Sequence, residues 1–156
     1  MIRASSRPGS PAANRNVPAP AISPVTDSSS SCTTVTVRVE RPGVAEQPPG
    51  SDFVPELTPV AGDVVVVKRT IGAFYGTDLA TRLHERDVDT VVLAGLATTM
   101  GVESTARAAA DHGFEVIFAA DAMSGVTTAE HDHALTVVLP RFGEVLTTGR
   151  VLSRRD

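Results

Sequence analysis

The chain has 156 residues, a formal charge of −4 and a single cysteine, Cys32. That length supplies one domain with its own core, the acidic balance argues against a nucleic-acid surface or a basic membrane patch, and one cysteine excludes an internal disulfide framework or a multi-cysteine metal site. No apolar run approaches the roughly 20 residues that span a bilayer, and Arg3 and Arg7 are not followed by the apolar stretch of a secretory signal, so a cytoplasmic protein is expected.

Ten of the eleven prolines fall within residues 1 to 59. Residues 1–31 are mostly Ser, Pro, Ala, Asn and Arg, too poor in apolar surface to offset chain entropy, and are expected to be disordered. A single α/β domain is expected over residues 32–156. TTVTVRVE (33–40) alternates with period two and predicts a strand. RPGVAEQPPGSDFVPELTP then reads as a linker punctuated by proline and glycine, with Phe53, Val54 and Leu57 fixing it to the surface.

From Gly62 the pattern becomes regular. GDVVVVKR predicts a strand buried on both faces, because four consecutive valines leave no polar side. TDLATRLHER places Leu79 and Leu83 at helical spacing, and DVDTVVLAG supplies the next buried strand. Residues 101–112 predict a helix whose Val102, Ala106, Ala109 and Ala110 form a narrow face able to sit close on a sheet. FEVIFAAD is a third core strand. Thr127 and Glu130 have capping-box spacing ahead of the helix AEHDHALTVVL, ended by Pro140, and GEVLTT predicts a last short strand. Strands alternating with helices imply a parallel sheet covered on both faces.

In such a sheet the carboxyl ends of strands hold the chemistry. Lys68 closes the valine strand, and the turn GLATTMG follows the next, so both open onto one crevice. Alternatively, Lys68 closes a strand in solvent, and Gly101 is only a glycine at a helix start. Without a Cβ, Gly101 also lets a ligand approach the backbone, where helix-start N–H groups favour an anion. Thr98 and Thr99 are read as helix caps ahead of substrate ligands. Phe74 and Tyr75 either wall a pocket or, for Phe74, pack in the core. His131 and His133 point some 160° apart on a helix and read as solvent-facing or cap-adjacent, not as a metal pair. His84 and His112 sit near helix ends, where a dipole contact suffices. Asp121 reads as a turn former and Arg107 as an ion-pair partner. No phosphate-cradling, dinucleotide or G-x-S-x-G motif is present, so no cofactor and no metal site are expected.

The segment KRTIGAFYGTDLATRLHERDVDTVVLAGLATTMGVESTARAAADHGFEVIFAADAM resembles the core of the isochorismatase-like hydrolases, the superfamily that includes nicotinamidases and N-carbamoylsarcosine amidases. Similarity continues through TTAEHDHALTVVLPRFGEVLTT and covers roughly residues 53–152. Its carriers are the lysine ahead of AF-x-GT-x-L, and G-x-x-T-x-x-[C or G]-V-x-x-T-A-R before a strand ending in D-A. The resemblance implies a three-layer α/β/α fold with a mostly parallel sheet, a small-molecule substrate, no cofactor and a homo-oligomer.

By the same resemblance, members with a cysteine attack a carbonyl carbon with an Asp, Lys and Cys triad. Lys68 matches the lysine and Gly101 stands at the nucleophile position, as in the isochorismatases, which hydrolyse a vinyl ether with no protein nucleophile and lean on the acidic residue. A non-proline cis peptide is implied between Leu96 and Ala97, with the N–H groups of Ala97 and Gly101 as an oxyanion hole. Substrate contacts are implied at Ala97, Thr98, Phe74 and Tyr75. The family's aspartate closes its first core strand, and nothing before Thr33 has that character: Asp27 lies in VTDSSSS with no strand ahead. The first strand and its carboxylate are therefore expected to be missing, unless Asp27, Glu56 or Asp121 reaches Lys68. Two readings follow. One is a hydrolase of a C–N amide or vinyl-ether bond, impaired and lacking a covalent nucleophile. The other is a non-catalytic remnant, a pseudoenzyme acting as a binding or oligomerisation module.

Overall fold

Valine-rich runs assemble into a six-stranded sheet in the computed structural model, which describes residues 2–5, 32–40, 53, 55 and 58–154. The strands are β1 (Ile2–Ser5), β2 (Cys32–Val39), β3 (Val64–Lys68), β4 (Thr90–Leu96), β5 (Glu115–Ser124) and β6 (Glu144–Leu146). Their order across the sheet is β3-β2-β1-β4-β5-β6. Pairs β2/β3, β4/β5 and β5/β6 are parallel, whereas β1 is antiparallel to both of its neighbours. With helices α1 (Leu79–His84), α2 (Glu103–Asp111), α3 (Thr128–His133) and α4 (Thr148–Ser153), this is the expected three-layer α/β/α arrangement with a mostly parallel sheet.

Four expectations need correction. Residues 1–31 were expected to lack structure, yet Ile2–Ser5 is a strand between β2 and β4. A four-residue stretch with one large apolar side chain does not order itself. It is held because two flanking strands offer backbone donors and acceptors on both sides. Residues 6–31 lie outside the described residues, as do Val54 and Leu57 of the linker. A first strand was expected to be missing; among the described residues β1 does precede β2, antiparallel to it, and its IRAS carries no carboxylate.

The second correction concerns β3. Val64, Val66 and Lys68 are buried, but Val65 is 39% exposed, because β3 ends the sheet and one of its faces is only partly covered. A run of valines does not reveal where the sheet stops. Third, the helix through AEHDHALTVVL is not uniform. After α3 it loosens into a π-helical turn, Ala134–Val138, then tightens into a 3-10 turn, Leu139–Arg141, that contains Pro140. Fourth, α4 was not expected at all. Thr147 caps it by accepting from the Arg150 N–H at 3.3 Å. Thr127 does the same for α3 through the Glu130 N–H at 3.2 Å, as its spacing predicts.

The core lies between the sheet and its helices. Leu79 and Leu83 of α1, Val91 and Leu93 of β4, Phe118 of β5 and Leu139 are all essentially inaccessible; each such side chain contributes about 1.5–3 kcal/mol by leaving water. Ala106 and Ala109 are fully buried on α2, so the small-residue face does bring that helix close to the strands, with Ala110 only half-buried.

Candidate functional site

Parallel pairing sets Lys68, the last residue of β3, opposite Val39, the last of β2. β4 ends at Leu96, and the chain then passes through a cis Leu96–Ala97 peptide, which the resemblance implied, into a π-helical turn, Thr98–Val102, that leads into α2. The two strand ends meet as expected. A Cβ placed on Gly101 would stand 3.4 Å from Lys68 Nζ, 3.3 Å from the Leu96 carbonyl oxygen and 3.7 Å from that of Ile71.

Lys68 is no solvent-exposed strand end: it is 8% exposed, and its Nζ donates to the Ile71 carbonyl. Burial disfavours the ammonium and lowers its pKa below the ordinary lysine value. Among the described residues no carboxylate pairs with it. Asp121, one of three acids that were expected to matter if they reached Lys68, is used elsewhere. Its two oxygens accept from the N–H and hydroxyl of Thr148, at 2.6 and 2.7 Å, at the start of α4. Those bonds stabilise its charged form and lower its pKa. Asp27 and Glu56 lie outside the described residues.

Three features define the site further. Thr105, one helical turn after Gly101, donates to the Gly101 carbonyl at 2.6 Å and accepts from the Ala73 N–H at 3.1 Å. One hydroxyl thus fastens the turn after β4 to the segment after β3. Position i+4 from Gly101 on a helix was the only signal for it. Second, Thr98 is completely buried and caps nothing; its hydroxyl is hydrogen-bonded at 2.8 Å to Nδ1 of His131. His131 is therefore half-buried against the turn, not solvent-facing, while His133 is exposed, as opposite directions on a helix require. Third, a cavity of about 150 Å³ opens beside Lys68, with Val37 and Val39 of β2, Leu93 to Leu96 of β4, Gly101 and Thr105 in its walls.

The remaining residues fall away from this cavity. Phe74 is buried between Phe114 and His112, ring centroids 5.9 and 5.2 Å away, so its core reading holds. Tyr75 is 79% exposed. Neither lines the cavity, and nor does Ala97, whose carbonyl accepts from the N–H groups of Met100 and Val102. His84 stacks on Phe114 at 4.9 Å. Arg107 pairs with Glu103 at 2.7 Å and covers the Phe142 ring at 4.5 Å. Among the described residues no group of three His, Cys, Asp or Glu could hold a metal, and no helix is long and apolar enough to cross a membrane.

Comparison with known proteins agrees with this architecture. A family model described as the isochorismatase domain matches residues 26–150. An uncharacterized isochorismatase family protein, YwoC of Bacillus subtilis, is 47% identical over 104 residues, 67% of this chain and 55% of the relative. Maleamate amidohydrolase of Pseudomonas putida is 35% identical over 104 residues, 67% of this chain and 49% of the relative. An isochorismatase-like hydrolase structure from Alkaliphilus metalliredigens superposes with a TM-score of 0.73 at 31% identity, covering 80% of this chain and 70% of that one. The chain spans about half the length of the curated relatives it matches.

Proposed function

Because the chain belongs to the isochorismatase-like hydrolase family, we propose that it hydrolyses a small molecule at a C–N amide or vinyl-ether bond, at a site formed by Lys68 and the turn from Gly95 to Gly101. The approach of Lys68 Nζ to the Cβ position of Gly101, at 3.4 Å, carries this reading, because it sets a cationic group beside the space a reacting atom would occupy. Gly101 has no side chain to attack with, so water is the nucleophile. In amide hydrolysis the water adds to the carbonyl carbon and its proton passes to the nitrogen as collapse expels the amine. The N–H groups of Ala97 and Gly101, which the family resemblance implies as an oxyanion hole, meet the developing charge. In vinyl-ether cleavage a proton goes to the double bond before water adds, and Lys68 is the nearest donor. Burial makes its ammonium a stronger acid than an exposed lysine, yet weaker than a carboxylic acid. Slow turnover follows. The similarity to an enzyme named for an amide substrate supports the C–N choice.

The test is a panel of small amides, including maleamate, and vinyl ethers, assayed with the chain and with Lys68→Ala. Turnover by the parent and its loss in the variant are expected. Equal rates would remove Lys68 from the mechanism. A second reading, a non-catalytic remnant that binds or oligomerises, is favoured by the lack of a carboxylate on Lys68 among the described residues. Both readings place the chain in the cytoplasm as a homo-oligomer, a state that light scattering of the purified chain measures directly.

A further inference from the structure

The segment 69–77, between β3 and α1, lies against the start of α2. A Cβ on Gly101 would stand 3.7 Å from the Ile71 carbonyl oxygen, and one on Gly72 only 2.7 Å from the Ser104 hydroxyl. The next residue, Ala73, donates its N–H to the Thr105 hydroxyl at 3.1 Å. Within the segment, Thr70 donates to the Gly72 carbonyl at 3.1 Å and Thr77 to the Ala73 carbonyl at 2.6 Å, which fixes its bends. Among the described residues the Ala73–Thr105 bond is the one hydrogen bond between this segment and the stretch 97–105.

A threonine that donates to the carbonyl four residues back is commonplace on a helix. Thr105 differs because the same oxygen also accepts from a distant segment, at a position only 5% exposed. Its contacts close a ring. Lys68 Nζ donates to the Ile71 carbonyl, and Ala73, two residues on, donates to Thr105. Thr105 donates to the Gly101 carbonyl, and the Cβ position of Gly101 returns to Lys68 Nζ at 3.4 Å. A lysine side chain is flexible, so its amine goes where its acceptor goes. Without the Thr105 hydroxyl, the acceptor of the amine and the turn at Gly101 belong to two segments that no hydrogen bond joins.

We propose that Thr105 is a positioning residue, whose hydroxyl sets the distance between the Lys68 amine and the turn at Gly101. That hydroxyl is spent on its two bonds, so it acts through Lys68 and Gly101 and not on a substrate. Its service to hydrolysis rests on the reading above; the distance it sets does not.

The experiment measures that distance without turnover. Gly101→Cys supplies a thiol whose ionisation responds to a nearby amine. Iodoacetamide labelling of this thiol at pH 7, separated from Cys32 by peptide mass spectrometry, is compared with Lys68 present and with Lys68→Met. The ratio of the two rates is the contribution of the amine. With Thr105 in place the ratio is expected to be about three- to tenfold, to persist in Thr105→Ser, and to fall below about twofold in Thr105→Val. A merely structural threonine would change stability and both rates together and leave the ratio as it was, which would overturn the proposal. Loss of the ratio in Thr105→Ser, which keeps the hydroxyl, would overturn it as well, and so would a ratio near one with Thr105 present. Should Thr105→Val fail to fold, Thr105→Ala is measured in its place. Water can then meet the two freed groups, but a mobile water fixes no distance, so the same loss is expected. A chain that hydrolyses none of the amides and vinyl ethers, yet shows these ratios, would sink the hydrolase reading and leave this one standing.

Discussion

Thr98 and His131 are joined by a 2.8 Å hydrogen bond between the turn after β4 and the helix after β5. Thr98 is wholly inaccessible, so its hydroxyl has no water to replace the imidazole. The fit around His131 is close on its other side too, since a Cβ on Gly125 would come within 3.0 Å of the His131 Cβ. Leaving one partner of a buried hydrogen bond unmatched costs about 1–3 kcal/mol. Thr98→Val and His131→Ala are each expected to destabilise the chain by that amount in urea denaturation. The double variant should lose less than the sum, with a coupling of about 1 kcal/mol. Simple additivity of the two losses would mean that the contact carries no energy of its own.

Gly143 shows how closely β6 approaches β5. A Cβ at this position would overlap the Val116 carbonyl, standing 2.6 Å from its carbon and 2.9 Å from the Val116 Cβ. Backbone of a central strand cannot swing aside as a side-chain tip can. Gly143→Ala is therefore expected to cost at least the upper part of the roughly 1–3 kcal/mol range for overpacking. Gly72→Ala is the control: there the nearest atom, at 2.7 Å, is the Ser104 hydroxyl, which rotates away cheaply. Thermal melts that rank the two variants equally would contradict this packing.

Burial of Lys68 predicts a pH dependence of stability. Its pKa in the native state lies below the value of 10.5 expected for a free lysine, so between the two values the unfolded chain binds the extra proton. Stability must then rise with pH across that window, and the penalty is complete below the native pKa. Denaturation midpoints measured from neutral pH to pH 10.5 should show a rise in the parent chain that Lys68→Met lacks. A parallel pH profile in the two proteins would mean that the amine is solvated in the native state.

How much of this was legible in the sequence depends on the range of the contact. Lys68 and Gly101 could be paired in advance because both follow buried apolar strands of a parallel sheet, whose carboxyl ends converge on one edge. Leu79, Leu83, Ala106 and Ala109 declare their buried faces by spacing alone. Thr105 and His131 do not, since each acts through a partner far along the chain, Ala73 for one and Thr98 for the other. Periodicity carries no information on such contacts. β1 escaped for a related reason, as its pairing is supplied by β2 and β4 and not by its own side chains. Phe74 was ambiguous because a core aromatic and a pocket wall have the same sequence signature. Its ring contacts with His112 and Phe114 resolve it.

The space at Gly101 yields the last prediction. A Cβ there meets Leu96 and Ile71 carbonyl oxygens at 3.3 and 3.7 Å and Lys68 Nζ at 3.4 Å, contacts that neighbours relieve by a few tenths of an ångström. Gly101→Cys is therefore expected to fold and to set a thiol beside the buried amine. An adjacent ammonium stabilises the thiolate and lowers the thiol pKa below its usual value near 8.5. Lys68 is itself a weakened cation, so the effect should be smaller than beside an arginine. Iodoacetamide labelling at pH 7, followed by peptide mass spectrometry to separate this thiol from Cys32, is expected to run about three- to tenfold faster in Gly101→Cys than in Gly101→Cys with Lys68→Met. Equal rates in the two proteins would mean that the amine does not reach the Gly101 position in solution.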